Sequence, residues 1–255
     1  MTASNRLMWI NADRVFYAGL LGSPTLRTLG ALSLYVALDA PIRISVAGGV
    51  WEEGDVAVVP PYRAHVVASD SRVIANLLIE PETVAVATLP GFMKECAGVV
   101  DAPELVQRVG DVHRRFTIGA PKWDRDTSEF DRRFFGGKLA PQPLDRRILA
   151  VLDEIKSVPL APISATQCAA SIHLSYSRFL HLFKQEVGVP FRSFRGWKRA
   201  RSLLHYVTKE ANLTDVALNV GYPDSSHFSH SIRQVYGLKP TDIFAGSRKL
   251  AVYGS

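Results

Sequence analysis

Residues 179–188, FLHLFKQEVG, and residues 228–237, FSHSIRQVYG, are one pattern written twice at a constant offset of 49. Phe179 matches Phe228, His181 matches His230, Lys184 matches Arg233, Gln185 matches Gln234 and Gly188 matches Gly237. Upstream, Ala169 pairs with Ala217 at an offset of 48, so the second copy carries one more residue in its turn. Packing alone accounts for matched apolar positions. It does not account for matched His, Lys/Arg and Gln on faces that a helix leaves to solvent.

Each copy has the anatomy of a helix, a tight turn and a second helix. In the first, Ser164-x-x-Gln167 is a capping box with Ile163 as its hydrophobic staple. Ala169, Ala170 and Ile172 follow. Ser175 caps the next helix, which buries Phe179, Leu182, Phe183 and Val187 and stops at Gly188, with Pro190 beyond. In the second, Thr214 caps a helix with Val216, Ala217 and Val220. Gly221 makes the turn, Asp224 caps the next helix, and Gly237 with Pro240 ends it. Between the copies a long amphipathic helix is predicted from about Phe191 to Thr208. Trp197, Ala200, Leu204 and Val207 form its apolar side and Arg192, Arg195 and Arg199 another. Such a rod would hold two helices at a fixed separation within one chain, as dimers do when they reach major grooves about 34–36 Å apart.

Charge agrees with a polyanionic partner for this part. The net charge is +7 over residues 144–255 and −1 over residues 1–143. With 255 residues and 47% apolar content, the chain can build two cores. No run of about 18 apolar residues implies a membrane span, and no secretory signal pattern opens the sequence. The two cysteines, Cys96 and Cys168, sit in no CxxC or Cys/His ligand spacing, so neither a disulfide framework nor a zinc site is predicted and a cytoplasmic location is.

The first 80 residues look strand-rich. Ala31–Leu38 is an apolar run, Ile42-Arg-Ile-Ser-Val46 alternates strictly, and Val56–Val59 and Val73–Ile79 are further short runs between Gly and Pro turn signals. This spacing predicts a small sandwich or barrel. Residues 81–143 read as a helical connector, with helices over Glu82–Leu89 and Glu104–Phe116. The second shows Leu105, Val109 and Val112 in helical register. Gly119–Pro143 reads as a linker with one short helix.

The segment from about Leu144 to Phe244 resembles the DNA-binding domain of the AraC/XylS family. The resemblance rests on Ser175-x-Ser-Arg-Phe-x-x-x-Phe183-Lys184, Gly188-x-Pro190, Ala217, Gly221-Tyr-x-Asp224-x-Ser-x-Phe228-Ser229 and Gly237-x-x-Pro240. It implies an α+β chain: a cupin-like β-barrel sensory domain at 1–80, a connector at 81–143 that dimerises, and an all-α tandem helix-turn-helix domain at 144–250. It further implies a transcription regulator, usually an activator, with double-stranded promoter DNA and RNA polymerase as partners, a homodimeric state and no cofactor. The exposed start of each second helix should face base edges: Ser177, Arg178, Leu180 and His181 in the first unit, of which the resemblance marks Ser177, Leu180 and His181 as base-reading, and Ser225, Ser226, His227, Ser229 and His230 in the second. Ser175, Lys184, Arg233 and Lys239 are phosphate candidates. The sequence departs from the family at His230 and Phe244, where arginine is common, and at Ile232, where an aromatic is. The second unit is therefore expected to read fewer bases.

Gly54-(x)5-Pro60-x-Tyr62-x-x-His65 is similar to the second cupin motif, with Tyr62 in place of its Gly. The first motif, with its histidine pair, is absent, so a barrel without metal is expected. Either the barrel binds a small effector, with Tyr35, Arg43, Trp51 and His65 as candidate lining, or it serves only association with a protein. The spacing of Arg195 and Arg199 also resembles the arginine pair of cyclic-dinucleotide receptors, although contact with the DNA backbone is the simpler use. A cupin-type metal enzyme fused to a DNA-binding module is the reading from a different class. It requires ligands that the sequence does not supply.

Overall fold

The computed structural model describes residues 6–71, 73–94, 97–119, 126–157, 163–209, 212–247 and 250–254. Cys96 lies outside them. The first strands are β1 (Leu7–Ile10), β2 (Arg14–Leu20), β3 (Leu32–Val36), β4 (Ile42–Val46), β5 (Glu52–Gly54), β6 (Val56–Val59), β7 (His65–Ser69) and β8 (Val73–Ile79). β9 (Gly98–Val100) follows, and β10 (Ala251–Gly254) returns from the far end of the chain to pair in parallel with β1. They form a seven-stranded sheet, β10-β1-β2-β8-β3-β6-β9, and a three-stranded sheet, β5-β4-β7. The sheets face each other across Tyr35, Ile42, Ile44, Ala57, Val67 and Ile74. They remain two separate sheets and do not close into the predicted barrel.

Strand composition follows from this layering. β4 has one wet face, so Ile42 and Ile44 are buried and Arg43 is exposed. β1 and β6 are covered on both sides and are apolar at every position. One face of the large sheet, with Trp9, Phe16, Leu34 and Leu77, packs on α2 (Pro103–Ile118) and α3 (Thr127–Phe135), which follow the short α1 (Gly91–Lys94). Arg14 fastens α3 to the sheet through a buried ion pair with Asp131 at 2.8 Å. Leu105, Val109 and Val112, the stripe a pairing helix would offer to a second copy, point into this core instead. The helix predicted over Glu82–Leu89 is two 3-10 turns, Pro81–Thr83 and Val86–Thr88. Pro90 holds Leu89 extended at ψ 151° and stops the coil from propagating.

The rest is helical: α4 (Arg146–Ser157), α5 (Ala165–Ser171), α6 (Tyr176–Val187), α7 (Phe191–Ser202), α8 (Leu213–Asn219), α9 (Ser225–Tyr236) and α10 (Pro240–Ser247). α4, α5, α6 and the start of α7 share one core, with Phe179, Phe183, Phe191 and Phe194 in mutual ring contact. The end of α7, with α8 and α9, packs on Met8, Ile10, Val15 and Leu78 of the large sheet. The second helix-turn-helix unit is thus built onto the strand-rich half. α7 is shorter than predicted: Ser202 Oγ donates back to Lys198 O at 2.9 Å, and a 3-10 turn, Leu203–His205, follows. Its buried residue in that turn is Leu203, where Leu204 is predicted.

Candidate nucleic-acid interface and effector cavity

Both recognition helices are stopped and started by their own sequence. Ser175 Oγ accepts from Arg178 N at 3.4 Å, and Gly188 closes α6 in the left-handed region at φ 82°. Asp224 Oδ1 accepts from Ser226 N and His227 N, each at 2.8 Å, and Gly237 closes α9 at φ 73°. The predicted cap of α8, Thr214, is displaced by Asn212, whose Oδ1 accepts from Thr214 N at 2.9 Å. The capping box of Ser164 and Gln167 forms as predicted, with both of its hydrogen bonds made.

On α6, Ser177, Arg178, His181 and Lys184 are exposed along one side, with Ser175 exposed at the cap. On α9, Ser225, Ser226, His227, His230 and Arg233 are exposed, as is Lys239 beyond it. Leu180 is partly buried and packs against the first unit's core. Ser229, its counterpart, is also half-buried. His227 Nδ1 lies 2.8 Å from Asp224 Oδ2, so its ring is tied to the cap of its own helix. Backbone and side-chain bonds from His227 hold the Asp224 carboxyl below the usual range. Arg195 is buried and Arg199 half-buried, whereas Arg192 is exposed.

A cavity of about 330 Å³ lies between the large sheet and the second unit. Met8, Val15, Leu29 and Leu78 line one side and Val207, Tyr236 and Ile243 the other. Its polar lining includes Arg27, Tyr35 and Asn76 on the sheet side and Ser23, Asp242 and Ser247 elsewhere. Arg27 is 7% exposed, and its Nε and Nη2 have no hydrogen-bond partner among the described residues. An arginine in that state is a ready anion receptor, since a buried donor without an acceptor costs about 1–3 kcal/mol.

Of the predicted effector residues, Tyr35 lines this cavity and Arg43, Trp51 and His65 do not. Arg43 pairs with Asp70 on the surface, and Trp51 is 55% exposed. His65 is structural. Its Nδ1 is 2.9 Å from Arg63 O and its Nε2 2.8 Å from Tyr35 Oη, which makes Nδ1 the protonated nitrogen and Tyr35 the donor to Nε2. Burial pushes its pKa down to about 4. Sequence reasoning missed Arg27, whose signal is faint: one cation in an otherwise apolar stretch ahead of β3. Among the described residues, no group of three His, Cys, Asp or Glu side chains converges as a metal site would require.

A family profile described as a helix-turn-helix domain matches residues 168–246. Invasion protein InvF of Salmonella typhimurium is 30% identical over 112 residues, 40% of this chain and 52% of that protein. The arabinose operon regulatory protein of Escherichia coli is 28% identical over 106 residues, 41% of this chain and 36% of that protein. The chain spans about half the length, or less, of these curated relatives. Among solved structures, an apo form of ToxT from Vibrio cholerae superposes with a TM-score of 0.60 at 11% identity, over 92% of this chain and 98% of that one. Wild-type ToxT bound to an unsaturated fatty acid gives 0.58 at 12% identity, over 92% and 96%. At these identities the likeness is one of fold: a sheet-rich half followed by a helical domain.

Proposed function

We propose that the chain is a regulator of the AraC/XylS type, a sequence-specific transcription regulator of promoter DNA controlled by a small effector in the cavity between the sheet and the second helix-turn-helix unit. The observation that carries this is the repeat itself: two recognition helices in one chain, each capped, each presenting a polar, carboxylate-poor face to solvent. Ser177, Arg178 and His181 read bases from the first unit, with the exposed serines and His230 doing so from the second. Ser175, Lys184, Arg233 and Lys239 hold phosphates. Leu180 and Ser229, both partly buried, offer less side chain to a base than their exposed neighbours.

The effector class follows from the cavity. An apolar tail suits the Met8, Val15 and Val207 walls, and a carboxylate suits Arg27. That ToxT is described with a bound fatty acid supports the same class. Activation through RNA polymerase, a homodimer and a cytoplasmic location belong to this reading. The homodimer would need a face other than Leu105, Val109 and Val112. No helix among the described residues is long and apolar enough to cross a membrane.

Selection of duplexes from a random pool by the full chain tests the first part. An enriched motif with two half-sites one helical turn apart is expected, and a pool that stays random would overturn it. Oleate titration tests the second. Oleate is expected to raise the melting temperature of the wild type and leave that of Arg27→Leu unmoved. Equal responses would remove Arg27 from the site.

A further inference from the structure

Arg27 accounts for an anionic head on the proposed effector. The row of side chains beside it bears on what else that effector carries. Tyr17 of β2, Asn76 of β8 and Tyr35 of β3 stand opposite one another in the register of the large sheet, and all three line the cavity. Directly opposed residues on one face of a sheet lie about 5 Å apart at Cβ. Arg27 sits at the Tyr35 end of this row. Its backbone exchanges two hydrogen bonds of 3.0 Å with His65, whose ring meets Tyr35 Oη. Burial pushes the Tyr35 pKa up, and the Arg27 charge opposes the rise. Asp242, also in the lining, forms no hydrogen bond with Arg27 Nε or Nη2.

The donors and acceptors of the row do not balance. Tyr35 Oη donates to His65 Nε2. Tyr17 Oη donates to Leu20 O at 3.1 Å and lies over Gly19, where a Cβ would come within 2.4 Å of it. Asn76 Nδ2 donates to Leu34 O at 3.2 Å. A carbonyl only accepts, so this bond fixes which way the amide faces and leaves Oδ1 as the free end. Asn76 is 9% exposed, and its Oδ1 has no hydrogen-bond partner among the described residues. Neither flanking tyrosine can supply one, because both phenolic protons are placed elsewhere. A carboxylate cannot supply one either, since it too only accepts. The row therefore offers free donors at Arg27 and an unfilled acceptor at Asn76, among apolar walls such as Met8, Val15 and Leu78.

We propose that the effector is a hydroxylated carboxylic acid with an apolar tail, its carboxylate on Arg27 and its hydroxyl donating to Asn76 Oδ1, so that Asn76 sets the specificity of the cavity. This rests on the effector reading given above. Only Tyr35 stands between Arg27 and Asn76, so the hydroxyl belongs among the first carbons of the chain and not in its tail. Because the Leu34 bond fixes the amide, one hand of the hydroxyl-bearing carbon is favoured over the other.

Isothermal titration calorimetry on the full chain without DNA tests this, using dodecanoate and the R and S forms of 3-hydroxydodecanoate. One hydroxy acid is expected to bind the wild type roughly three- to tenfold tighter than dodecanoate, the worth of one hydrogen bond to a buried acceptor. Asn76→Leu, of similar size, should bind all three acids alike. Arg27→Leu should weaken all three, with circular dichroism confirming the fold of each variant. Dodecanoate binding at least as tightly as both hydroxy acids overturns the specificity and leaves the effector reading standing. A preference that survives in Asn76→Leu overturns the role of that residue. If none of the three acids binds the wild type, both the specificity and the effector reading fall.

Discussion

Replacing Glu80 with glutamine is expected to loosen the second helix-turn-helix unit from the sheet. Glu80 follows β8, and its side chain is 1% exposed. Trp197 Nε1 donates to both carboxylate oxygens, at 3.1 and 2.9 Å, Arg201 Nε pairs at 2.8 Å, and the Lys198 ammonium lies against Oε2. Lys198 also reaches Glu82 Oε1 at 2.6 Å, and Arg201 Nη2 donates to Asn11 O at 2.5 Å. The two carboxylates are not equivalent. Burial opposes ionisation of both, but at Glu80 the charges of Lys198 and Arg201 and the indole bond outweigh it and hold the pKa below its ordinary value. At Glu82 burial, reinforced by the Glu80 charge, wins over Lys198 and pushes the pKa up.

Glu80→Gln therefore strips Arg201 of its carboxylate partner and leaves Lys198 with Glu82 alone. An uncompensated buried charge costs about 3–5 kcal/mol. At about 2–4 °C per kcal/mol for a chain of this size, the melting temperature should fall by roughly 6–20 °C. Glu82→Gln leaves Lys198 and Arg201 their Glu80 partner and should cost less than Glu80→Gln. Calorimetry at pH 7 compares the two. Because the folded pKa of Glu80 is depressed, its contribution is complete above the unfolded value near 4.5 and is lost as pH falls through the folded one, so the gap between wild type and Glu80→Gln should narrow below pH 4.5. If the two variants melt together, or if the gap widens in acid, the assignment of Glu80 as the anion holding α7 is wrong.

Three further outcomes are expected. His65 is buried neutral, so the unfolded chain binds the extra proton, and stability should fall by about 3 kcal/mol from pH 6.5 to pH 4; urea melts of His65→Gln across that window should be flatter than those of the wild type. His181→Ala should weaken operator binding by about 1–3 kcal/mol and relax specificity at one base pair, read by anisotropy over a panel of site variants; equal losses on every variant would make it a phosphate contact instead. Gly188→Ala and Gly237→Ala both force alanine to positive φ, at a cost of about 1–2 kcal/mol, but a Cβ at 188 meets open space while one at 237 meets Thr25 Oγ1 at 2.5 Å, so Gly237→Ala should melt several degrees lower.

The helical third was legible because its signals are local. Caps, turn glycines and a repeat at fixed offset lie within a dozen residues of what they determine, and α6 and α9 form where they predict. The strand-rich half was legible only in part. The alternation of Ile42–Val46 marks a strand with one wet face, but Leu7–Ile10 is apolar throughout because helices cover one side and the second unit the other. Nothing local distinguishes such a run from a buried helix. β10 pairs with β1 across the whole length of the chain, and no periodicity records that. Arg27, Glu80 and Arg201 were illegible for a related reason. Their importance comes from burial against residues far away in sequence, and a charged residue in a string reads as surface.

The two units share a sequence pattern and differ in setting, and α7 is where the difference matters. Its 12 residues span about 18 Å, well short of the separation between successive major grooves. Rod length alone therefore cannot set the reach of the two recognition helices. The remainder comes from where each helix sits on α7: α6 against Phe191 and Phe194, α9 against Trp197 and Ala200, with Tyr236 Oη donating to Ala200 O at 3.2 Å. The first seat belongs to a core made of helices alone, tied to the strand-rich half by the Lys156–Asp13 pair at 2.8 Å. The second seat is shared with the sheet and borders the cavity through Tyr236. An effector can shift such a system only by favouring one arrangement over another. Here Tyr236 of α9 joins the packing on α7 to the cavity, so in the proposed reading a cavity ligand would act on the spacing of the recognition helices through Tyr236.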